Sequence, residues 1–324
     1  MRPYHIAFLG NAPVDLMAQV DDDFITRHGL KKGDWQSLPA PRFNTLMDEL
    51  PQVEAIPGGS GANTGDHLAR MGLDVYLGTL VGDDQYGRLF HTFTTKLGID
   101  MPTPLAGHET LLLAALITPD GQRTFATAKG RKRQRVQAVP EQVLDNSQWL
   151  YVEAYVMEED LAMTMHTCAL ARQKGVKIAL TLASPRFVET YADQIAILVN
   201  SGLDLIICND EELEALEHTV TRHGHGSELH RNVLRTPRLV THGKDGATYF
   251  AADGSEVSEP CPPVAGVIST NGAGDAFAAG FMYGLIQTWP MADTLKLGHR
   301  LAGRVIQQMG ARLESGHADL LNTQ

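Results

Sequence analysis

A single carboxylate follows a turn of small residues in the C-terminal part of this chain. The segment Ser269–Gly284 reads STNGAGDAFAAGFMYG, and its apolar second half predicts a buried helix. The first amide groups of a helix lack intrahelical partners, and with the positive end of the helix dipole they suit an anion. The small residues Gly272, Ala273 and Gly274 would let a phosphoryl group approach this backbone. Asp275 would then be a base beside a phosphate cradle, as phosphoryl transfer to a hydroxyl requires; simple complementation of the helix dipole is the alternative.

Other polar side chains stand where a predicted strand or turn leads into the next element. Asp15 follows the apolar strand Ile6–Leu9 and a glycine turn, which is where α/β sheets bind ligands, although a turn role is also common. Asn63 follows the glycine-rich turn of PGGSGAN and could bind a hydroxylated ligand or cap a helix. Asn209 and Glu212 share one face at the start of a predicted helix. They could hold Mg²⁺ or its waters, or form a capping pair.

The elements that must position these residues alternate between strand and helix from Trp149 onward. That alternation predicts βαβ units and a mostly parallel sheet covered on both faces, hence an α/β fold. The segment Asp21–Glu54 is charged and interrupted by prolines, which favours a small insertion or lid. Thr110–Thr118 and Arg123–Ala128, joined by a Pro-Asp-Gly turn, predict a hairpin. His299 lies on a predicted core helix and could face a ligand or be structural.

Composition excludes several classes of protein. The chain has 324 residues, 38 acidic and 27 basic side chains and a net charge of −11, which argues against general binding to nucleic acid or to an anionic membrane. The three isolated cysteines form no zinc or disulfide pattern and favour a cytoplasmic protein. No signal peptide or membrane-spanning stretch is predicted. The basic run Arg131–Arg135 is interpreted as a solvated loop, with phosphate or nucleic-acid binding as the alternative.

Four motifs together carry a resemblance to a known family. GGSGAN, the NDEE stretch at Asn209–Glu212, THGKDG and GAGD occur in the order and at the separations typical of the ribokinase-like (PfkB) carbohydrate and nucleoside kinases. The similarity covers essentially the whole chain. It implies one domain over 1–324, with a mostly parallel central sheet flanked by helices. It also implies a small β lid formed by about 12–55 and 108–128.

The resemblance implies a role for each residue that matches a family motif. Asp275 would be the general base, with Gly272, Ala273 and Gly274 as the anion hole. The residues that would bind the acceptor sugar are Asp15, Gly59 and Asn63. The residues that would bind ATP are Asn209, Thr241, Gly243, Gly246, Asn271 and His299. Glu212 would place Mg²⁺.

Within the family, the opening GNAPVDLMAQV, the stretch RTFATAKG and the variant TNGAGD resemble adenosine kinase-like and inosine-guanosine kinase-like proteins. The implied activity is ATP-dependent phosphorylation of the 5′-hydroxyl of a purine nucleoside, adenosine first and inosine or guanosine next. A ribose or fructose kinase and a nucleotide-binding protein without turnover remain as alternatives. Ser269 stands where most relatives carry an aspartate that often helps hold a monovalent cation, so the resemblance leaves potassium activation open. The resemblance allows a monomer or a homodimer.

Overall fold

The structure is a computed structural model that describes residues 3–129, 137–222, 232, 233 and 235–322. The basic run at 131–135 lies outside the described residues. Within them the chain alternates strands and helices as the sequence pattern predicts. The strands are β1 Tyr4–Leu9, β2 Val14–Gln19, β3 Trp35–Pro39, β4 Glu54–Pro57, β5 Val75–Gly78, β6 Leu112–Ile117, β7 Arg123–Lys129, β8 Ser147–Glu153, β9 Lys177–Thr181, β10 Leu205–Asn209, β11 Arg238–Thr241, β12 Ala247–Phe250 and β13 Glu256–Glu259.

The helices account for most of the remaining described residues. They are α1 Asp22–Arg27, α2 Ala40–Glu49, α3 Ser60–Arg70, α4 Gln85–Lys96, α5 Glu141–Leu144, α6 Val156–Gln173, α7 Pro185–Thr190, α8 Ala192–Asn200, α9 Asp210–Arg222, α10 Ala273–Ile286, α11 Met291–Val305 and α12 His317–Leu321.

Two sheets organise these elements. The larger has eight strands in the order β13-β12-β11-β10-β9-β8-β1-β5, and it is parallel except for the β11–β12 and β12–β13 pairs. The smaller has five strands in the order β3-β7-β6-β2-β4. β6 and β7 pair antiparallel, with Leu113 opposite Thr127, so the predicted hairpin is confirmed. The large mixed sheet with flanking helices confirms the predicted α/β class.

The core follows from the alternation of side chains along the central strands. In β1, Ile6 and Phe8 point into one buried cluster, which includes side chains of α3, α10 and α11. Ala7 and Leu9 point to the opposite face and join a second cluster, which includes side chains of α6 and α8. Both faces of the strand are therefore buried, as expected of a parallel strand between helical layers.

Helix α10 lies tightly against its neighbour α11 because it is apolar and carries glycines at the contact. A Cβ on Gly280 would come within 2.7 Å of the Gly298 backbone nitrogen. This close approach fixes α10 and therefore the position of its N-terminus, where the candidate base lies. No helix in the described part of the chain is long and apolar enough to cross a membrane.

Candidate active site

The candidate residues lie where strands of the large sheet reach their carboxyl ends. Asn209 ends β10 and Thr241 ends β11, and the two are partners in the strand register. Glu153 ends β8, opposite Thr181 of β9. Parallel strands present their carboxyl ends at one edge, which is the usual ligand edge of such sheets. The sheet order therefore places Asn209 and Thr241 toward one end of this edge and the residues that follow β1 toward the other.

Asp275 is held by two side chains of helix α3. Its Oδ1 accepts from the Ser60 hydroxyl at 2.6 Å, and its Oδ2 accepts from Asn63 Nδ2 at 2.8 Å. The Thr64 hydroxyl also donates to the Asp275 backbone carbonyl at 3.3 Å. These contacts join the first turns of α3 and α10, which lie more than 200 residues apart in the sequence. The carboxylate of Asp275 is thereby fixed in one orientation.

The three small residues before Asp275 have different environments. Gly272 is the N-cap of α10 with φ of 77°, and a Cβ there would lie 2.3 Å from Ala311 Cβ. The glycine is therefore required by backbone conformation and by packing. A Cβ on Gly274, in contrast, would meet nothing within 4 Å. The open space that an anion could use lies over Gly274, in the first turn where helix amide groups lack intrahelical acceptors.

Opposing effects act on the Asp275 carboxyl group. Burial raises its pKa, whereas the hydrogen bonds from Ser60 and Asn63 and the positive charge of Arg312 lower it. Hydrogen bonds to a carboxylate favour its ionised form, which is the form that can accept a proton. The carboxyl group therefore lies in a desolvated site in which hydrogen-bond donors favour the form that accepts a proton.

Asp15 lies on β2, beside the turn that begins helix α3. A Cβ on Gly58 would fall 2.7 Å from the Asp15 carboxylate, so this turn passes directly over the acid. Within the described residues, Asp15 Oδ1 is buried without a hydrogen-bond partner. Burial raises the pKa of Asp15 to about 6, against the positive charge of Arg312 and with the negative charge of Asp275. A buried acceptor without a partner in this place suits a ligand hydroxyl.

Gly59 completes the turn between Asp15 and Asn63. It has φ of 92° and is the N-cap of α3, and a Cβ there would lie 2.5 Å from the Asn11 carbonyl oxygen. Only glycine fits this conformation and this approach. The turn therefore sets where α3 starts and where Asn63 points.

Glu153 is a third carboxylate of the site, more fully buried than the other two, and was absent from the sequence-based predictions. It is 3% exposed, and its Oε2 accepts from the backbone amides of Asn11 and Gly61 at 3.3 and 3.2 Å. Burial raises the pKa of Glu153 to about 7, opposed by these two amides. It ties the end of β8 to the turn that follows β1 and to the first turn of α3. Its place at the end of a predicted strand was the available sequence signal.

Arg312, in the segment after α11, was also missed. Its side chain is 8% exposed, and its Nε donates to Asn63 Oδ1 at 2.8 Å. Its Nη2 donates to the Gly58 carbonyl at 3.0 Å, and its Nη1 lies 3.7 Å from Asp66 Oδ2. The local sequence around Arg312 offered no signal for these contacts, because its partners precede it by about 250 residues.

Asn209 and Glu212 form a reciprocal capping pair at the start of α9. The Asn209 side chain accepts from the Glu212 amide at 2.8 Å, and Glu212 Oε2 accepts from the Asn209 amide at 3.1 Å. Among the described residues, no cluster of three acidic, histidine or cysteine side chains could enclose a metal. Mg²⁺ commonly uses one or two carboxylates and keeps waters and substrate phosphates as further ligands. A single carboxylate with one oxygen outside the cap fits that mode of binding.

The THGKDG turn follows β11 and is largely exposed. Gly243 begins a short 3₁₀ helix, and Gly246 ends it with φ of 124°; a Cβ there would lie 2.4 Å from the Glu259 carbonyl. His242 bridges Asp210 at 2.7 Å and the Thr248 hydroxyl at 3.0 Å. The turn that carries Thr241 and Gly243 is therefore attached to the start of α9, beside Asn209.

His299 and Asn271 lie at the edge of this region. His299 is buried, its Nε2 lies 3.1 Å from the Glu259 carbonyl, and its ring packs edge-on against Phe277. These contacts hold the His299 ring in place. Asn271 is exposed just before α10, and its amide donates to the Ser269 hydroxyl at 3.2 Å.

The sequence matches known proteins over most of its length. Residues 28–316 match the sequence pattern of the pfkB family of carbohydrate kinases. A 5-dehydro-2-deoxygluconokinase of Clostridium perfringens is 26% identical over 274 residues, which cover 80% of this chain and 81% of the relative. An adenosine kinase of Schizophyllum commune is 25% identical over 342 aligned positions, covering 97% and 98%. The crystal structure of adenosine kinase from Sinorhizobium meliloti superimposes with a TM-score of 0.83 at 27% identity and covers 98% of both chains.

Proposed function

This chain belongs to the pfkB family of carbohydrate kinases, and we propose that it transfers the γ-phosphoryl group of ATP to the 5′-hydroxyl of a purine nucleoside. Membership makes it a phosphotransferase that acts on a hydroxyl of a sugar or nucleoside. Adenosine is the first candidate acceptor, followed by inosine and guanosine. The observation that carries the proposal is the Asp275 carboxylate, held by Ser60 and Asn63 beside the open first turn of α10.

The reaction is an in-line displacement. Asp275 accepts the proton of the acceptor hydroxyl as that oxygen forms its bond to the γ-phosphorus. The bond from the γ-phosphorus to the bridging oxygen breaks, and ADP leaves. The first-turn backbone over Gly274 stabilises the charge on the transferring group, because its amide groups and the helix dipole face that space. General-base help of this kind contributes roughly 10²–10⁴ in rate.

The acceptor is held by the residues at the β2 end of the site. Asp15, whose buried Oδ1 lacks a partner among the described residues, accepts from sugar hydroxyls. Gly59 and Asn63 complete this surface. The five-stranded sheet, built mainly from the segments near 12–55 and 108–128, acts as a lid that excludes water.

The phosphate donor is bound at the β10–β11 end. Asn209, Thr241, Gly243 and Gly246 lie along the nucleotide, with Asn271 and His299 at its border. Bound at Glu212, Mg²⁺ would neutralise phosphate charge. Gly243 and Asn271 lie in exposed turns, and an exposed turn can accommodate a ligand without disturbing the core.

A sugar kinase activity is the second candidate. The Clostridium perfringens relative, named 5-dehydro-2-deoxygluconokinase, is as similar to this chain as the Schizophyllum commune adenosine kinase. Both activities would use the same base and anion site. They differ in what the lid must cover, since a nucleoside carries a base that needs an apolar slot.

The deciding experiment measures ATP consumption with Mg²⁺ against adenosine, inosine, guanosine, ribose, fructose and 5-dehydro-2-deoxygluconate, with and without potassium. The Asp275→Asn variant is the blank. Turnover confined to nucleosides supports the proposal and ranks the bases. Turnover confined to free sugars refutes the nucleoside assignment and moves the chain to the second candidate.

A further inference from the structure

Three carboxylates and one guanidinium lie close together around the acceptor site. Burial lowers the pKa of Arg312, and the negative charges of Asp66, Asp15 and Asp275 oppose this by favouring the charged guanidinium. Arg312 is itself almost wholly buried, and its three side-chain nitrogens contact Asn63, Gly58 and Asp66. A buried guanidinium with such partners is costly unless its geometry is well satisfied, so its position is closely determined.

The contact between Arg312 and Asn63 decides which way the Asn63 amide faces. Arginine carries only donors, so Arg312 Nε, at 2.8 Å, requires the Asn63 oxygen. The Asn63 nitrogen must then face the opposite way, where it lies 2.8 Å from Asp275 Oδ2, and an ionised carboxylate can only accept. Both neighbours impose the same orientation. Arg312, Asn63 and Asp275 thus form a directed chain of hydrogen bonds that ends on the base.

We propose that Arg312 is a positioning residue for the kinase reaction, holding the Asn63 amide so that the Asp275 carboxylate is oriented as the base. The proposal rests on the proposed function, because it concerns the same base. Arg312 acts through Asn63 and through its charge, and it does not itself contact the reacting atoms.

The charged and titratable groups around Asp275 favour this role. The negative charges of Asp15 and Glu153 and the hydroxyl of Tyr151 face the same region from β2 and β8. Arg312 is the cation among the described residues whose charge lowers the pKa of Asp275. Without that charge and without a fixed donor from Asn63, burial and the neighbouring acids would favour the protonated base.

Arg70 offers a matched control in the same cluster. Its Nε donates to Asp66 Oδ1 at 2.7 Å, and its Nη1 donates to the Glu314 carbonyl at 2.6 Å. It therefore anchors the same segment after α11 and pairs with the same aspartate as Arg312. It makes no hydrogen bond to Asn63 in the structure. Arg70→Met loosens the anchor alone, whereas Arg312→Met also frees the Asn63 amide.

The test compares the pH dependence of kcat/KM for the wild type, Arg312→Met, Arg312→Lys and Arg70→Met. Arg312→Met is expected to lower kcat by about tenfold to a hundredfold near neutral pH, since misplaced catalytic groups cost rates of that order. The acidic limb of its profile should move up by about one pH unit, so that part of the loss is regained at high pH. Arg312→Lys keeps the charge and should restore part of that shift, but not the fork that orients Asn63.

A purely structural role of Arg312 predicts other results. Arg312→Met and Arg70→Met would then lose activity in proportion to their loss of thermal stability, with the acidic limb unmoved, and that outcome overturns the proposal. A double-mutant cycle adds a second criterion. If Arg312 acts through Asn63, the effect of Arg312→Met on kcat is smaller in an Asn63→Ala background. Fully additive effects would contradict the proposed chain of hydrogen bonds from Arg312 to Asp275.

A measurement without substrate separates this proposal from the proposed function. ¹³C NMR of aspartate-labelled protein, with Asp275→Asn for assignment, follows the Asp275 carboxyl group through a pH titration. A higher pKa in Arg312→Met and an unchanged one in Arg70→Met support the positioning role even if the acceptor proves to be a sugar. An unchanged pKa in Arg312→Met refutes it. Failure of the proposed function shows separately, as turnover confined to free sugars in the activity panel.

Discussion

The two ends of the candidate site are built by different means. Around Asp275, buried and half-buried side chains meet across more than 200 residues of sequence, as in the contacts from Ser60 and Asn63. At the β10–β11 end, the contacts are local, such as the cap between Asn209 and Glu212, and the following turn is exposed. A base must be oriented and desolvated, which requires a packed surround. A nucleotide can be bound by turn backbone and one or two side chains, which short segments supply.

The largest effect on activity is expected from a substitution of the base, Asp275. Asp275→Asn should lower kcat by roughly 10²–10⁴ while ATP binding stays measurable, because the donor end is built separately. Rapid-mix kinetics with the best acceptor and calorimetric titration with ATP would measure the two quantities. Near-full turnover by this variant would show that another group accepts the proton.

The buried pair His67 and His317 supports the base end and should make its stability depend on pH. His67 Nε2 donates to the Ala311 carbonyl at 3.0 Å, so its Nδ1 accepts from His317 Nε2, also at 3.0 Å. Burial lowers the pKa of each histidine from 6.5 to about 4, with nearby arginine charges acting in the same direction.

Because these folded-state pKa values are depressed, the unfolded chain binds the protons first. The contribution of the pair is present above pH 6.5 and is lost as the pH falls from 6.5 toward 4, by up to about 3 kcal/mol for His67. Burial raises the pKa values of Asp15 and Glu153, so these acids act in the opposite direction. The measurement is therefore a difference. The difference in unfolding free energy between wild type and His67→Gln/His317→Gln, measured by urea titration, should shrink as the pH falls through this window, and exposed His166→Gln is the control. An identical pH dependence of all three proteins would refute the role of the pair.

Substitutions of two glycines at the start of α10 should separate an effect on packing from an effect on phosphate binding. Gly272→Ala should cost about 1–3 kcal/mol of unfolding free energy, since φ is 77° and the methyl group would meet Ala311. Gly274→Ala places its methyl group in open space, so stability should hold or rise by up to about 1 kcal/mol while turnover falls. Denaturant titration and kcat, measured on both variants, check this contrast. A fully active, stable Gly274→Ala protein would contradict an anion site at this turn.

At the other end, Glu212→Gln should leave the cap intact because glutamine at this position also completes a capping box. If the carboxylate helps hold Mg²⁺, the Mg²⁺ concentration that gives half-maximal rate should rise about 10-fold to 100-fold. Thermal melting should remain close to that of the wild type. An unchanged Mg²⁺ requirement, with Glu212→Ala destabilised, would leave Glu212 as a cap alone.

The sequence by itself determined the α/β class, the hairpin of β6 and β7, and the turn that places Asp275 at the start of an apolar helix. These features depend on local patterns: the alternation of strands and helices, glycines at positive φ, and apolar runs that must be buried. The tertiary structure decided which side chains reach Asp275. Ser60 and Arg312 could not be recognised in advance, because their contacts depend on the packing of helices and strands far apart in the chain. The position of Glu153 at the end of a predicted strand was a signal, but its partners depend on the same packing.

The same distinction applies within single motifs. Gly272 and Gly274 look equivalent in the sequence, yet one is required by Ala311 and the other faces open space. Asn209 and Glu212 could be a metal site or a cap from their spacing, and the structure shows the cap. Spacing along a helix fixes only which residues share a face. What that face meets is set by the tertiary packing, because elements distant in sequence supply the partners.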